Sequence, residues 1–269
     1  MDPKEYCFEA VHSKSNQTSK FLLYLYMAKE IEIQVTFNEG VGQSINSRLL
    51  RSCIEYLLYQ RQQLPIPYHE LMKMVEDQEK PCDGLETRVL ARRSFNTEYK
   101  KAKKVYEDVE CLFDHINKLF LSTKVNAAMV LLGSTPVSPK EHYFVDFQNT
   151  NEGKTADSSP RVYNSACRKL IRSLISNQEL GSFKDISPTS MLVFIQVSRS
   201  SDIEWFQPKP TFKPPHRGQS CKISVRTTSY NEQLAASEGD PPERSMDEWL
   251  WFQAPVVIRG YRHRTGVSL

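Results

Sequence analysis

The side chains that most often do chemistry are scattered along this sequence of 269 residues. Cys111 and His115 lie one helical turn apart and could supply two ligands to a zinc ion. His69 precedes Glu70, but no second histidine follows at the spacing of a zinc-protease motif. Because zinc sites need three or four protein ligands, these isolated pairs predict no metal site.

Motifs that mark known catalytic sites are missing from the sequence as well. It contains no Gly-x-Gly-x-x-Gly, no phosphate loop, no Gly-x-Ser-x-Gly and no His-Glu-x-x-His. The sequence therefore predicts a protein that is not an enzyme and uses no cofactor. An enzyme remains an alternative if the fold gathers His69, His142 or His216 with a carboxylate and a nucleophile.

The composition favours a folded domain without a strong electrostatic preference for a partner. With 39% hydrophobic residues the chain can bury a sizeable core, and its formal net charge is only +3. Nucleic-acid binding through four lysines between residues 100 and 104 is a further alternative, although Glu107, Asp108 and Glu110 balance them. No apolar run approaches the roughly 20 residues of a membrane span. Six cysteines without a C-x-x-C pair indicate reduced thiols, as in cytosol or nucleus.

The spacing of apolar residues predicts the strands and helices of an α+β fold. Ile31, Ile33 and Val35 alternate with polar residues, which is typical of a half-buried strand. Helical spacing between residues 45 and 63 predicts a buried helix that stops before Leu64-Pro65, because a residue preceding proline avoids helical backbone. Further helices are predicted at 68–77, 95–121 and 161–177, and further strands at 125–132, 138–147, 191–197, 221–228 and 249–261.

Polar stretches and turn residues divide the chain into one domain with two short ends. Residues 1–30 are predicted to be a disordered arm, residues 31–264 a single domain and residues 265–269 a tail. Mobile loops are expected near 78–93, 148–160 and 229–245.

The helix predicted at 161–177 has two interpretations. Ile171 and Ile175 fall to one side of its main apolar stripe, next to Arg168 and Arg172. One interpretation is a wide stripe that only packs on the core. The other is an aliphatic pair rimmed by arginines, which is the layout of a protein interface.

Residues 208–217 form a tract rich in proline and basic residues. They could be a rigid loop between strands, or an exposed, stiff ribbon that loses little entropy when a partner binds it.

The strand predicted at 249–261 is the most aromatic part of the chain. Pro255 cannot donate a ladder hydrogen bond, which favours an edge position or a bulge. Such a strand either seals the sheet or offers its edge to a partner.

Four stretches, in order and at similar spacing, resemble the comet family, the binding proteins of the spindle-checkpoint protein mitotic arrest deficient two. They are LLYQRQQLPIPY at 57–68, LLG at 131–133 with SPKE at 138–141, WFQPK at 205–209, and WFQAP at 251–255. The resemblance runs from about residue 31 to residue 262.

The resemblance implies a HORMA-like fold: an antiparallel sheet, three main helices on one side and a C-terminal safety belt. It implies a non-enzymatic adaptor that binds the closed conformer of the checkpoint protein, itself a HORMA protein. The adaptor presents that conformer to a HORMA-remodelling AAA+ ATPase, which disassembles the mitotic checkpoint complex. Its expected location is the nucleus and cytoplasm, around spindle and kinetochores.

By position, the family's contacts with the checkpoint partner fall on Gln60 and Ile171. The helix pattern adds Arg168, Arg172 and Ile175 to the expected interface.

The family's ATPase contacts fall on Pro208, Lys209 and Lys213, within the basic tract. The resemblance also implies that the chain's own C-terminus fills the place where relatives hold a peptide. A structural role is then expected for four residues: Trp249, Trp251, Phe252 and Pro255. A HORMA module that binds linear peptides is the alternative, and it would require a free edge on this strand.

Overall fold

The helices and strands were located in a computed structural model that describes residues 30–38, 40–79, 89–150, 159–228 and 248–262, without the side chains of residues 79, 89–96 and 149. The helices within these ranges are α1 (Gln43–Gln60), α2 (Tyr68–Glu79), α3 (Val89–Ser122), α4 (Pro160–Ser176) and α5 (Gln178–Gly181). The strands are β1 (Glu30–Phe37), β2 (Val125–Leu132), β3 (Glu141–Asn149), β4 (Ser190–Ser198), β5 (Gln207–Pro208), β6 (Gln219–Thr227), β7 (Trp249–Gln253) and β8 (Ile258–Arg259). The predicted α+β class is confirmed.

The strands form one mixed sheet in the order β1-β6-β3-β2-β4-β7-β5, with β8 also pairing with β4. Most neighbours are antiparallel, including β2 and β3, which follow each other in the chain. However, β6 runs parallel to both of its neighbours, β1 and β3, so the expectation of an antiparallel sheet was wrong there. Apolar alternation indicates which face of a strand is buried, but it carries no information about the direction of the neighbouring strand.

The two faces of the sheet are covered differently. Alternate residues of the strands pack with α1, α3 and α4 into the main core, which includes Val145, Ile54 and Leu112. The opposite face carries a smaller apolar cluster from β2, β4 and β7. Phe212, from the segment between β5 and β6, packs on that second cluster. The long helices therefore lie on one side of the sheet, as expected, and the basic tract lies on the other.

Two helices extend into the loop predicted at 78–93, one from each side. α2 continues to Glu79, and α3 begins at Val89 rather than at residue 95. The first turns of α3 contain Leu90, Ala91 and Arg92, which have high helix propensity. Residues 1–29, 80–88, 151–158, 229–247 and 263–269, which include most of the other predicted loop, arm and tail positions, lie outside the described ranges.

A buried ion pair joins the end of α1 to the sheet. Arg61 Nε donates a hydrogen bond to Glu141 Oε2 at 2.9 Å, and both side chains are buried. Glu141 also accepts hydrogen bonds from the Tyr143 hydroxyl at 2.7 Å and from the Gln219 amide at 3.1 Å. Arg61 Nη2 donates to the Lys184 carbonyl oxygen at 2.6 Å. The network supplies the partners that two buried charges need, and it fixes the helix end against β3 and β6.

We predict that Arg61→Met destabilises the fold by about 3–5 kcal/mol, because it leaves the Glu141 carboxylate buried without a cation. Urea unfolding followed by circular dichroism measures the change. Lys104→Met is the control, since Lys104 pairs with Asp108 on the exposed surface and its removal should leave the unfolding midpoint almost unchanged. Equal midpoints for the two variants would contradict the role of the ion pair.

Candidate protein-binding surfaces

Helices α1 and α4 lie side by side and run in the same direction. The Tyr163 hydroxyl donates to Ser44 Oγ at 3.5 Å, and the Cys167 thiol donates to the Arg48 carbonyl oxygen at 3.8 Å. A step of four residues along α4 is therefore matched by a step of four along α1. Because the helices are parallel, their C-terminal ends lie at the same end of the domain.

One side of α4 is buried against the core. Its buried residues are Ala166, Leu170 and Leu174. The other side carries the four α4 residues expected at the partner interface. Ile171 is half-buried and packs on the edge of the core, while Ile175 is 66% exposed. Arg168 and Arg172 are exposed beside them. The helix thus has an apolar centre with a cationic rim on its outer side.

The end of α1 adds two exposed residues to the same end of the domain. Gln60 is exposed, as an interface residue must be, and Tyr59 beside it is 48% exposed. Sequence reasoning missed Tyr59. The helical spacing could have indicated its exposure, because this tyrosine falls outside the buried stripe of α1, which ends with Leu57 and Leu58. We refer to Gln60, Arg168, Ile171, Arg172 and Ile175 as the helix surface.

The basic ribbon, residues 208–217, begins at the outer margin of the sheet. In β5, Gln207 and Pro208 pair with Gln253 and Phe252 of β7. Next along the chain, the Lys209 amide donates to the Trp251 carbonyl oxygen at 2.7 Å. Pro208 is exposed and lacks an amide hydrogen, which suits a position at the edge of a sheet.

Phe212 anchors the ribbon to the sheet face opposite the helices. Its ring stacks on Phe194 with centroids 4.1 Å apart, and it meets Trp251 edge-on at 5.6 Å. Lys209 and Lys213 therefore flank an aromatic anchor. Lys213 is exposed, and Lys209 is half-buried.

A groove of about 540 Å³ runs along the ribbon. Its lining includes the basic side chains of Lys209, Lys213, His216 and Arg217, and none of its lining residues is acidic. Val137, which is 82% exposed, adds an apolar contact point. This basic groove suits a partner surface that is acidic and partly apolar.

The C-terminal strand is paired on both sides by its own chain. β7 pairs with β4 on one side and with β5 on the other. Of the four residues expected to be structural, Trp251 and Phe252 are buried, Trp249 is half-buried and Pro255 is exposed just after the strand ends. β5 and Lys209 occupy the outer edge of β7 over residues 251–253, where a peptide could otherwise add a strand.

Two of the candidate catalytic histidines, His69 and His142, lie in different environments. His69 is exposed on α2, whereas His142 is buried in β3, where burial and the nearby His216 lower its pKa. His115 Nδ1 lies 2.7 Å from the Cys111 carbonyl oxygen. Among the described residues no group of three or more histidine, cysteine, aspartate or glutamate side chains could hold a metal ion. No helix in those ranges is long and apolar enough to cross a membrane.

Burial or an ion pair accounts for three further ionisable groups. Burial raises the pKa of the Cys221 thiol to about 12, which keeps it protonated and unreactive. Lys101 and Lys104, from the lysine group, pair with Glu98 at 3.4 Å and with Asp108 at 2.7 Å.

The helix surface and the basic groove are thus two candidate protein-binding surfaces on an α+β scaffold. The family model described as "p31comet: Mad1 and Cdc20-bound-Mad2 binding" matches residues 7–263, and the chain belongs to this family. The family predicted from the sequence is thereby confirmed, and the match begins earlier than the expected residue 31.

Two curated relatives cover most of the chain. The MAD2L1-binding protein of Homo sapiens is 25% identical over 264 residues, which span 94% of this chain and 88% of that protein. The MAD2L1-binding protein of Mus musculus is 25% identical over 231 residues, which span 85% of this chain and 78% of that protein.

We predict that Phe212→Ala releases the ribbon while the domain stays folded, at a cost of about 1–2 kcal/mol for the lost ring contacts. Hydrogen–deuterium exchange should become faster in residues 209–217. Phe212→Tyr keeps the ring and should retain the slow exchange. Unchanged exchange in the alanine variant would show that Phe212 is not the anchor.

Proposed function

We propose that this protein is a non-enzymatic adaptor of HORMA architecture that binds the closed conformer of Mad2 through the helix surface. The family description and the relatives' names support Mad2 as the partner. The observation that carries the proposal is Ile175, a large aliphatic side chain left 66% exposed at the centre of an arginine-rimmed face.

The chemistry of the helix surface fits a tight protein contact. Burying the exposed part of Ile175 removes apolar area from water, while Arg168 and Arg172 can pair with carboxylates at the rim. Gln60 provides a donor and an acceptor at the adjoining helix end, which the buried Arg61 holds in place. Few side chains usually supply most of the binding energy of such an interface.

The position of the ribbon supports a second, simultaneous partner. The helix surface lies on the helical side of the sheet, and the basic groove lies on the opposite side, where Phe212 packs. One partner can therefore occupy each side without displacing the other. We propose that Pro208, Lys209 and Lys213 bind a HORMA-remodelling AAA+ ATPase, which hydrolyses the ATP and opens the closed conformer.

The expected outcome is disassembly of the mitotic checkpoint complex and silencing of the spindle checkpoint, in the nucleus and cytoplasm around spindle and kinetochores. The paired edge of β7 favours this adaptor over a HORMA module that closes its safety belt on a linear peptide.

We predict that Ile175→Asp with Gln60→Ala weakens binding of closed Mad2 by roughly 30-fold or more, as expected for loss of a hot-spot side chain. Ile175 is the better target than Ile171, which also packs on the core. Isothermal titration calorimetry measures the affinity, and urea unfolding checks the fold.

Val137→Asp is the matched control, because it also places a carboxylate at an exposed aliphatic position but on the other side of the sheet. It should bind closed Mad2 normally. Unchanged affinity in the folded double variant would contradict the helix surface as the Mad2 site.

We predict that Lys209→Glu with Lys213→Glu leaves Mad2 binding intact but reduces ATPase-driven conversion of closed to open Mad2 by about tenfold or more. Wild-type conversion should also fall with salt, since exposed charges are screened. Lys100→Glu with Lys118→Glu makes the same charge change on exposed positions of α3 and should convert normally. Full conversion by the ribbon variant would exclude the ribbon as the ATPase contact.

A further inference from the structure

The C-terminal segment, residues 249–262, returns to the end of α1, where Gln60 lies. The Tyr261 amide donates to the Gln63 carbonyl oxygen at 2.9 Å, and the Gly260 amide donates to the Thr189 carbonyl oxygen at 2.9 Å. Arg262 Nη2 then donates to Gln62 Oε1 at 3.3 Å. The last described residues of the chain thus lie against the turn that follows α1.

Gln63 connects the turn after α1 with the C-terminal segment. Its buried side chain accepts a hydrogen bond from the Thr189 amide at 2.7 Å and donates one to the Arg61 carbonyl oxygen at 2.6 Å. A Cβ atom at position 260 would lie 2.8 Å from Gln63 Oε1 and 2.9 Å from its carbonyl oxygen. Glycine at this position is therefore what allows the C-terminal segment to approach the turn.

A groove of about 370 Å³ opens where the C-terminal segment meets the turn. We refer to it as the end groove, and Tyr261 lines it together with Tyr59, Gln60, Gln62, Leu64, Pro65 and Arg262. Gln62 has a φ of 53°, a left-handed backbone conformation that residues other than glycine rarely adopt. The hydrogen bonds of Arg61 and Gln63, the two neighbours of Gln62, hold the turn in this strained conformation.

The lining of the end groove favours a negatively charged ligand group. Arg262 is its one charged residue, and its lining residues include no carboxylate. The Gln60 and Gln62 amides and the Tyr59 hydroxyl can donate further hydrogen bonds, while Leu64 and Pro65 offer an apolar wall. A guanidinium binds a carboxylate more strongly than a neutral acceptor.

We propose that the end groove is a second part of the Mad2-binding site and receives an acidic side chain of closed Mad2 on Arg262, with a neighbouring apolar group against Leu64 and Pro65. Two observations select this occupant: Arg262 carries the one charge among the residues that line the groove, and the groove is continuous with the helix surface through Gln60. The inference rests on the proposed function. If the end groove binds Mad2, this binding depends on the position of the protein's own C-terminal segment against the turn after α1.

The test compares two arginines of the same segment in the full-length protein. Arg262→Glu should weaken binding of closed Mad2 by about tenfold or more. The substitution replaces the cation of the groove with a carboxylate, which repels the acidic side chain of Mad2. Arg259→Glu makes the same change three residues earlier, at an exposed position outside the groove, and should bind as wild type. Arg262→Gln, which removes the charge without reversing it, should be intermediate and carries the test if Arg262→Glu does not fold.

The outcomes separate this inference from the function on which it rests. If Ile175→Asp with Gln60→Ala loses binding while Arg262→Glu binds normally, the end groove is overturned and the helix surface stands. If Arg262→Glu and Arg259→Glu weaken binding equally, only general electrostatics is involved and the end groove is overturned. If the helix-surface variant binds normally, both are overturned. Selective loss with the Arg262 variants supports the end groove.

Discussion

The buried pair of Arg61 and Glu141 is the interaction on which the arrangement of the candidate helix surface and the end groove depends. It anchors the end of α1 to β3, and Gln219 extends the network to β6. Two residues after Arg61, Gln63 attaches the C-terminal segment to the same turn. The end of α1, the central sheet and the C-terminal segment are therefore held together by buried polar groups, whose bonds are costly to break.

The sheet separates two surfaces of different chemistry. The helical side carries an exposed isoleucine with an arginine rim, whereas the other side carries a groove with four basic side chains and an exposed valine. The proposed adaptor role requires this separation, because each partner would bind while the other is present. The pairing of β5 with β7 adds a physical link, since the ribbon on one side is hydrogen-bonded to the strand that completes the sheet.

Local patterns predicted most of the elements and the composition of both surfaces. The amphipathic stripe of α4 was visible in the sequence because helical periodicity places Ile171 and Ile175 beside the core residues. The direction of β6 was not, because parallel and antiparallel strands share the same alternation. The end groove could not be predicted either, since it combines Tyr59 with Arg262, which are far apart in the sequence and are brought together by tertiary hydrogen bonds such as that of Tyr261 to Gln63.

Hydrogen–deuterium exchange of this protein with and without closed Mad2 tests the central claim most directly. Binding at the helix surface predicts new protection at the C-terminal ends of α1 and α4, with unchanged exchange in residues 207–209 because β5 stays paired with β7. Faster exchange in residues 207–209, together with no protection at the two helix ends, would contradict this and place the partner on the edge of the sheet.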